Sequence, residues 1–284
     1  MIRHEYSRIA ETMYEERLEN GLGVFVFSKP EFRKSYAFFA TRYGGMDTRF
    51  QLDGQWLDTP MGIAHYLEHK MFDMPDGGNA LQTLSATGAS PNAFTSTAIT
   101  GYHFECTEGF WENLRTLLSF VSVPYFTKES VEKEQGIIGQ EIRMIEDRPG
   151  WQAYHRLLEA LYEHHPVRNS VAGSVESIAQ ITAETLYHCH EAFYTPSNMV
   201  LCVAGNVDPE QVCAMAREIL PKEAKPTIPR DHGSNEPSQV YCQEDVLTME
   251  VAAPLLQIGV KLQAAHDGPA QLRQRLLGDL ACDA

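Results

Sequence analysis

Apolar and polar positions change period several times along the chain. The runs GVFVFSK (23–29) and SYAFFATRYG (35–44), rich in β-branched and aromatic residues, predict two strands joined by KPEFRK. A helix is expected from about Pro60 to Phe72. The Thr59 hydroxyl would cap it, and Pro60 would take the first helical position, where its missing N–H has no partner in any case. GNALQTLSATG predicts a short helix ended by Gly88, and ASPNAFTSTAITGYHFEC two strands with an ITG turn between them. From Glu108 to about Tyr194 helical patterns dominate: EGFWENLRTLLSFV, TKESVEKEQGIIGQEIRMIED, WQAYHRLLEALYEH and TAETLYHCHEAFY. NMVLCVAGNV (198–207) predicts a buried strand, and DPEQVCAMAREIL a helix with an Asp cap. Strands and helices interleaved in this way predict an α+β layered domain.

The pattern breaks after Leu220. PKEAKPTIPRDHGSNEPS (221–238) carries four prolines and almost no apolar periodicity, which predicts a linker. The expected organisation is a domain over 1–220, the linker over 221–238, and the beginning of a second domain over 239–284 with one or two strands. That last part is short for an independent domain, so the expectation is of a second domain begun and cut off.

Composition narrows the class. Of 284 residues, 43% are hydrophobic and 21% charged, as in ordinary globular chains. No apolar run approaches the roughly 20 residues of a membrane span, and the charged N-terminal stretch does not read as a signal peptide. Six cysteines without a CxxC pair fit reduced thiols, hence a cytoplasmic setting. A net charge of −15 argues against nucleic acid, whose phosphates need clustered Lys and Arg.

The candidate chemistry lies in HYLEH (65–69). On a helix, His65 and His69 stand one turn apart on one face and can reach one ion. Glu68 sits on the flank of that face, placed to act as a base on water without being the obvious ligand. Taken alone, the motif equally fits two solvated histidines. A hydrolytic zinc site needs a third protein ligand and an open position. In VEKEQGIIGQEIRMIED (131–147), Glu134 and Glu141 fall inside the apolar arc of Val131, Ile137, Ile138, Ile142 and Ile145. Carboxylates on a buried face are costly unless paired, either with Arg or Lys across a helix interface or with a divalent cation. Two histidines lacking a third ligand favour the cation.

HxxEH reverses the HExxH order of the zincins. Together with the 72-residue step from His69 to Glu141 and the paired glutamates of EKEQGIIGQEI, it resembles the pitrilysin/insulinase family of zinc peptidases, which includes the mitochondrial processing peptidases. The similarity is nearest to the bacterial processing-protease-like branch. It runs on through GASPNAFTSTAITGYHF (88–104), LLSFVSVPYFTKESVEKE (117–134) and NMVLCVAGNVDP (198–209), most of the chain up to the linker. The resemblance implies a mostly antiparallel sheet covered by helices, with Zn2+ held by His65, His69 and Glu141. It makes Glu68 the general base, Glu134 a supporting acid, and the reaction endoproteolysis of peptides or unfolded segments. Asn92, Ala93, Phe94 and Thr95 would form the edge strand that accepts an extended peptide by strand addition; from their alternation alone an internal strand is equally acceptable. The family pattern also implies a partner, either a second half-domain or a homologous subunit, supplying an Arg/Tyr pair that no residue in 240–284 matches. A competing expectation is a non-catalytic peptide-binding or assembly subunit, since some members have lost the site. A metal-stabilised structural domain would need a fourth protein ligand.

Other histidines and cysteines read as structural. His188 and His190 lie on opposite helix faces and cannot share an ion. His164 and His165 precede Pro166 and fit a helix end. Cys106 and Cys202 lie in strand-like runs as core thiols.

Overall fold

The computed structural model describes residues 1–233, 235–262 and 268–282. They divide into two compact units, Met1–Met144 with Asn169–His232, and Ile145–Arg168 with the residues from Gly233 onward. The expected second-domain segment includes 263–267 and 283–284, which lie outside the described residues.

The first unit is built on a seven-stranded sheet. Its strands are β1 (Ile2–Tyr6), β2 (Glu11–Arg17), β3 (Gly23–Ser28), β4 (Ser35–Thr41), β7 (Ser90–Thr95), β8 (Thr100–Cys106) and β9 (Met199–Gly205), in the order β1-β2-β3-β9-β4-β8-β7. Only β3 and β9 pair in parallel; the other neighbours are antiparallel. The fold is therefore α+β with a mostly antiparallel sheet. A separate hairpin joins β5 (Arg49–Leu52) to β6 (Gln55–Asp58). The helices are α1 (Ile63–Lys70), α2 (Ala80–Ala86), α3 (Phe110–Ser122), α4 (Lys128–Glu146), whose last residues pass into the second unit, α6 (Val175–Ile178), α7 (Ala183–Phe193) and α8 (Pro209–Ile219). Ile63, Tyr66 and Leu67 of α1 are fully buried in a core shared with Phe39, Tyr102, Phe104, Leu114, Leu117 and Phe193.

The second unit contains α5 (Pro149–Leu161), a 3-10 turn at Pro166–Arg168, irregular chain over 235–262, and α9 (Gly268–Cys282). Its order rests partly on Glu236, whose carboxylate accepts from the backbone N–H of Glu163, His164 and His165 and pairs with Lys261. Burial pushes that carboxyl up, but the Lys261 ammonium and the three N–H donors bring it down to about 2.

Several expectations change. The first ligand-bearing helix starts at Ile63, not Pro60: its N-cap is Gly62 in the left-handed region (φ 90°), and the Thr59 hydroxyl donates to the Thr48 carbonyl at 3.0 Å instead of capping. A Cβ at Gly62 would meet the Ala172 carbonyl oxygen at 2.5 Å, so tertiary contact sets this boundary. The turn between β7 and β8 is Ser96–Ile99, with Ser96 N–H donating to Ile99 O, so Thr100 and Gly101 of the expected ITG turn are strand residues. The N-terminal strands β1 and β2 and the hairpin β5-β6 were hidden by polar residues on their partly exposed faces. Among the described residues beyond 238 there is no strand. The proline-rich segment is irregular, yet not loose where it crosses the first unit. Asp47, 2% exposed, accepts from Arg230 Nη1 (3.0 Å), His232 Nε2 (2.9 Å) and Gly44 N–H (2.9 Å).

Candidate metal centre

α1 and α4 pass side by side in opposite directions. His65 faces Glu141, His69 faces both Glu141 and Glu134, and Lys70 reaches Ser130 and Glu134. Glutamates seven residues apart share a helix face two turns apart, which is why both can serve one short helix opposite. Tyr66 fixes the approach by donating its hydroxyl to the Val131 carbonyl. The apolar side of α4 is Val131, Ile138 and Ile142, all buried, whereas Ile137 is half exposed. Glu134 and Glu141 are only partly buried, at 17% and 35% side-chain exposure, on the flank of that apolar stripe. The expectation that both carboxylates lie on the buried face is corrected accordingly: they sit on its flank, which meets α1 and is partly exposed.

Donor atoms of His65, His69 and Glu141 all lie within 4.8 Å of one another. His65 Nε2 is 3.6 Å from Glu141 Oε1, and His69 Nε2 is 3.5 Å from Glu141 Oε2. Ligands at the ordinary zinc bond lengths on a tetrahedral ion stand about 3.3 Å apart, so the cluster fits zinc with little adjustment. The protonation state of His65 suits a ligand, whereas His69 would have to give up a proton to the ion. Burial, with His69 beside it, brings His65 down to about 4, so the imidazole is neutral and able to ligate. Burial also lowers His69, but the bond to Glu134 and the charges of Glu68 and Glu141 more than reverse that, and it ends above its ordinary value. His69 Nδ1 lies 3.1 Å from Glu134 Oε1, an arrangement in which Nδ1–H donates to the carboxylate and Nε2 is left for the ion. The His69 bond, first, and the Lys70 and Lys133 charges hold the Glu134 carboxyl low against burial. His65 Nδ1, by contrast, is buried and has no hydrogen-bond partner among the described residues.

Glu68 is 7% exposed and takes no part in the ligand cluster. Burial raises its carboxyl above the ordinary value, opposed by a 2.6 Å hydrogen bond from the Thr95 hydroxyl to its Oε2. That bond was not foreseen. Thr95 ends β7, which lies at the sheet edge beside α1 and α2. Ala93 is partly buried against the core, Phe94 stacks with Phe38 (centroids 6.0 Å apart), and the Asn92 side chain accepts from the next N–H at 2.9 Å. Of the open alternatives for this segment, the edge strand is the one observed among the described residues. Sequence reasoning also missed Lys70, which is 2% exposed although it is a lysine next to a candidate ligand. The cavity of about 720 Å³ in the second unit, lined by Leu157, Leu161, Val246 and Leu255 among others, contains none of these residues. His190 is also separate: buried, it bonds through Nε2 to the Val121 carbonyl at 3.0 Å.

Comparison with known proteins gives the same direction. The model of the insulinase family (peptidase family M16) matches residues 54–175, and that of the peptidase M16 inactive domain matches 180–282. The zinc protease YmfH of Bacillus subtilis is 45% identical over 278 residues, covering 96% of this chain and 64% of YmfH. The mitochondrial-processing peptidase subunit beta of Arabidopsis thaliana is 24% identical over 213 residues, covering 73% of this chain and 40% of that subunit. A solved M16-like peptidase from Alicyclobacillus acidocaldarius superposes with a TM-score of 0.77 at 41% identity, over 85% of this chain and 56% of the other. The chain thus spans less than two thirds of these relatives. The two family models follow one another along it, and the zinc that the relatives' names carry has a matching donor set here. The chain belongs to the insulinase family, peptidase family M16.

Proposed function

We propose that this chain carries the catalytic centre of a zinc-dependent endopeptidase acting on peptides or unfolded segments. The convergence of His65, His69 and Glu141 donor atoms, with Glu68 beside them and outside the cluster, carries the reading. When bound, zinc would supply Lewis acidity, polarising the scissile carbonyl and the attacking water. Glu68 would accept the proton lost by that water and pass it to the leaving amine nitrogen, while the Thr95 hydroxyl keeps its carboxylate from rotating away. β7 would hold the substrate as an added strand, its backbone giving affinity and the spaces between its side chains selectivity. His69, oriented by Glu134, and His65 would keep the ligand atoms in place. As part of the same proposal, a second half-domain or homologous subunit completes the substrate enclosure, and the free thiols Cys106, Cys189, Cys202, Cys213 and Cys242 fit a cytoplasmic setting.

The inactive-domain model favours a second reading, a non-catalytic binding subunit. Its match at 180–282 includes none of His65, Glu68, His69, Glu134 and Glu141, so it does not weigh against the centre. Zinc content by elemental mass spectrometry, on the wild type and on Glu141→Gln, tests the proposal. About one zinc per chain, lost in the variant, is expected; a wild type that takes no zinc after reconstitution moves the binding subunit ahead.

A further inference from the structure

Lys70 is the fully buried charged side chain nearest the ligands, and no step of the proposed reaction uses it. Burying a lysine is expensive unless its ammonium is paired and hydrogen-bonded. Here it meets the Asp73 carboxylate three residues on, the Ser130 carbonyl at 3.2 Å in the first turn of α4, and Glu134 Oε2 at 3.8 Å. On a helix Lys70 points about 100° away from its neighbour His69, so it is no ligand itself. It runs instead from the last turn of α1 to the start of α4.

Glu134 therefore divides its two oxygens between α1 partners. Oε1 takes the His69 imidazole, and Oε2 faces the Lys70 ammonium. The Lys70 ammonium, hydrogen-bonded to Asp73 and Ser130 O and 3.8 Å from Oε2, acts on this carboxylate as a fixed nearby charge that opposes its swinging off the imidazole. His69 Nδ1–H thus stays the donor, and Nε2, the atom 3.5 Å from Glu141, is left to ligate. The other histidine has no such support, since His65 Nδ1 lacks a partner among the described residues. The ordering of the centre is consequently asymmetric, and the Lys70 side carries it.

We propose that Lys70 is a positioning residue of the metal centre: it ties the end of α1 to the first turn of α4 and holds Glu134 against His69, so that the two helices present their ligands at zinc-binding separation. The proposal rests on the metal-centre reading above and adds to it a determinant of zinc affinity outside the ligand set.

The test uses the whole chain and does not depend on turnover. Zinc affinity is measured by competition with a chromophoric chelator for the wild type, Lys70→Met, Glu134→Gln and the double variant, with unfolding followed in parallel in the presence of EDTA. Lys70→Met is one atom shorter, keeps most of the unbranched packing of the side chain and removes its charge. We expect its folded form to bind zinc about 10- to 100-fold more weakly, the usual cost of removing support behind a ligand. The double variant should bind no more than about threefold more weakly than Glu134→Gln, because Lys70 acts through Glu134. Lys70→Gln, whose amide can still donate to the Ser130 carbonyl, carries the test if the methionine variant does not fold. Wild-type affinity in a destabilised Lys70 variant would make Lys70 a strut of the core and overturn the proposal. Losses that multiply in the double variant would equally overturn it. A wild type that binds no zinc would bring down the metal-centre reading itself, which is a different result from equal affinities.

Discussion

Glu68 and Thr95 meet at 2.6 Å, and that contact joins the base to the strand on which a substrate would lie. Glu68→Gln should retain about one zinc per chain while peptide cleavage falls by about 10²- to 10⁴-fold, the usual worth of a general base; undiminished turnover would remove Glu68 from the role. Thr95→Val should lower kcat by about tenfold or more with little change in KM, since a hydrogen bond to a charged group is worth roughly 1.5–3 kcal/mol, and Thr95→Ser should restore most of it. Away from the centre, His190 stacks on Tyr194 and bonds to Val121 O. Burial, first, lowers it to about 4, with the Lys225 charge adding and the Val121 bond opposing. The unfolded chain binds a proton there at a higher pH, about 6.5, so this residue's contribution is complete above 6.5 and is lost as pH falls toward 4. The loss amounts to about 3 kcal/mol. Denaturant titrations of wild type and His190→Gln at pH 7 and pH 4.5 should therefore show the wild type losing more stability than the variant, and parallel curves would contradict the assignment.

At the level of elements, what could be read from sequence followed how local the cause was. HYLEH was legible because one turn of helix brings its histidines together, and DPEQV because an Asp side chain caps the helix two residues on, where Asp208 accepts from Glu210 N–H at 2.8 Å. The start of α1 was not. Pro60 looks like a helix start by every local rule, yet Gly62 lies against Ala172 and Gly173, more than a hundred residues distant in sequence, and takes a left-handed turn to fit. Lys70 and Thr95 escaped for a similar reason: an isolated lysine or threonine has no pattern, and only the antiparallel passage of α4 and the path of β7 give them partners. β1 and β2 are polar enough to read as irregular chain, and their strand character comes from pairing with one another and with β3. Gly62→Ala should accordingly cost more than the ordinary 0.5–1 kcal/mol of backbone substitutions, roughly 2 kcal/mol or more. It should also weaken zinc binding by tilting the helix that carries both histidines. Calorimetry and chelator competition on one preparation would show both.

Across the whole molecule, zinc would bridge helices whose ligands stand 72 residues apart in the chain, His69 and Glu141. A ligand that binds only the folded form at a hundred times its Kd adds about 2.7 kcal/mol. Stripping with EDTA should thus lower Tm by several degrees, reversibly on adding zinc, and an unchanged Tm would mean that the ion is not held by the folded first unit. The sheet order has a consequence of another kind. β3 and β4 are consecutive in the chain but do not touch; β9 lies between them and bonds to both. During translation, one ribbon (β1, β2, β3) and another (β4, β8, β7) leave the ribosome long before the strand that joins them. The last ligand, Glu141, is made 58 residues ahead of Met199, where β9 begins (199 − 141). A nascent chain stalled in that interval holds every zinc ligand and lacks the seam of its sheet, so it should capture the ion poorly until β9 emerges and closes the layer behind α1.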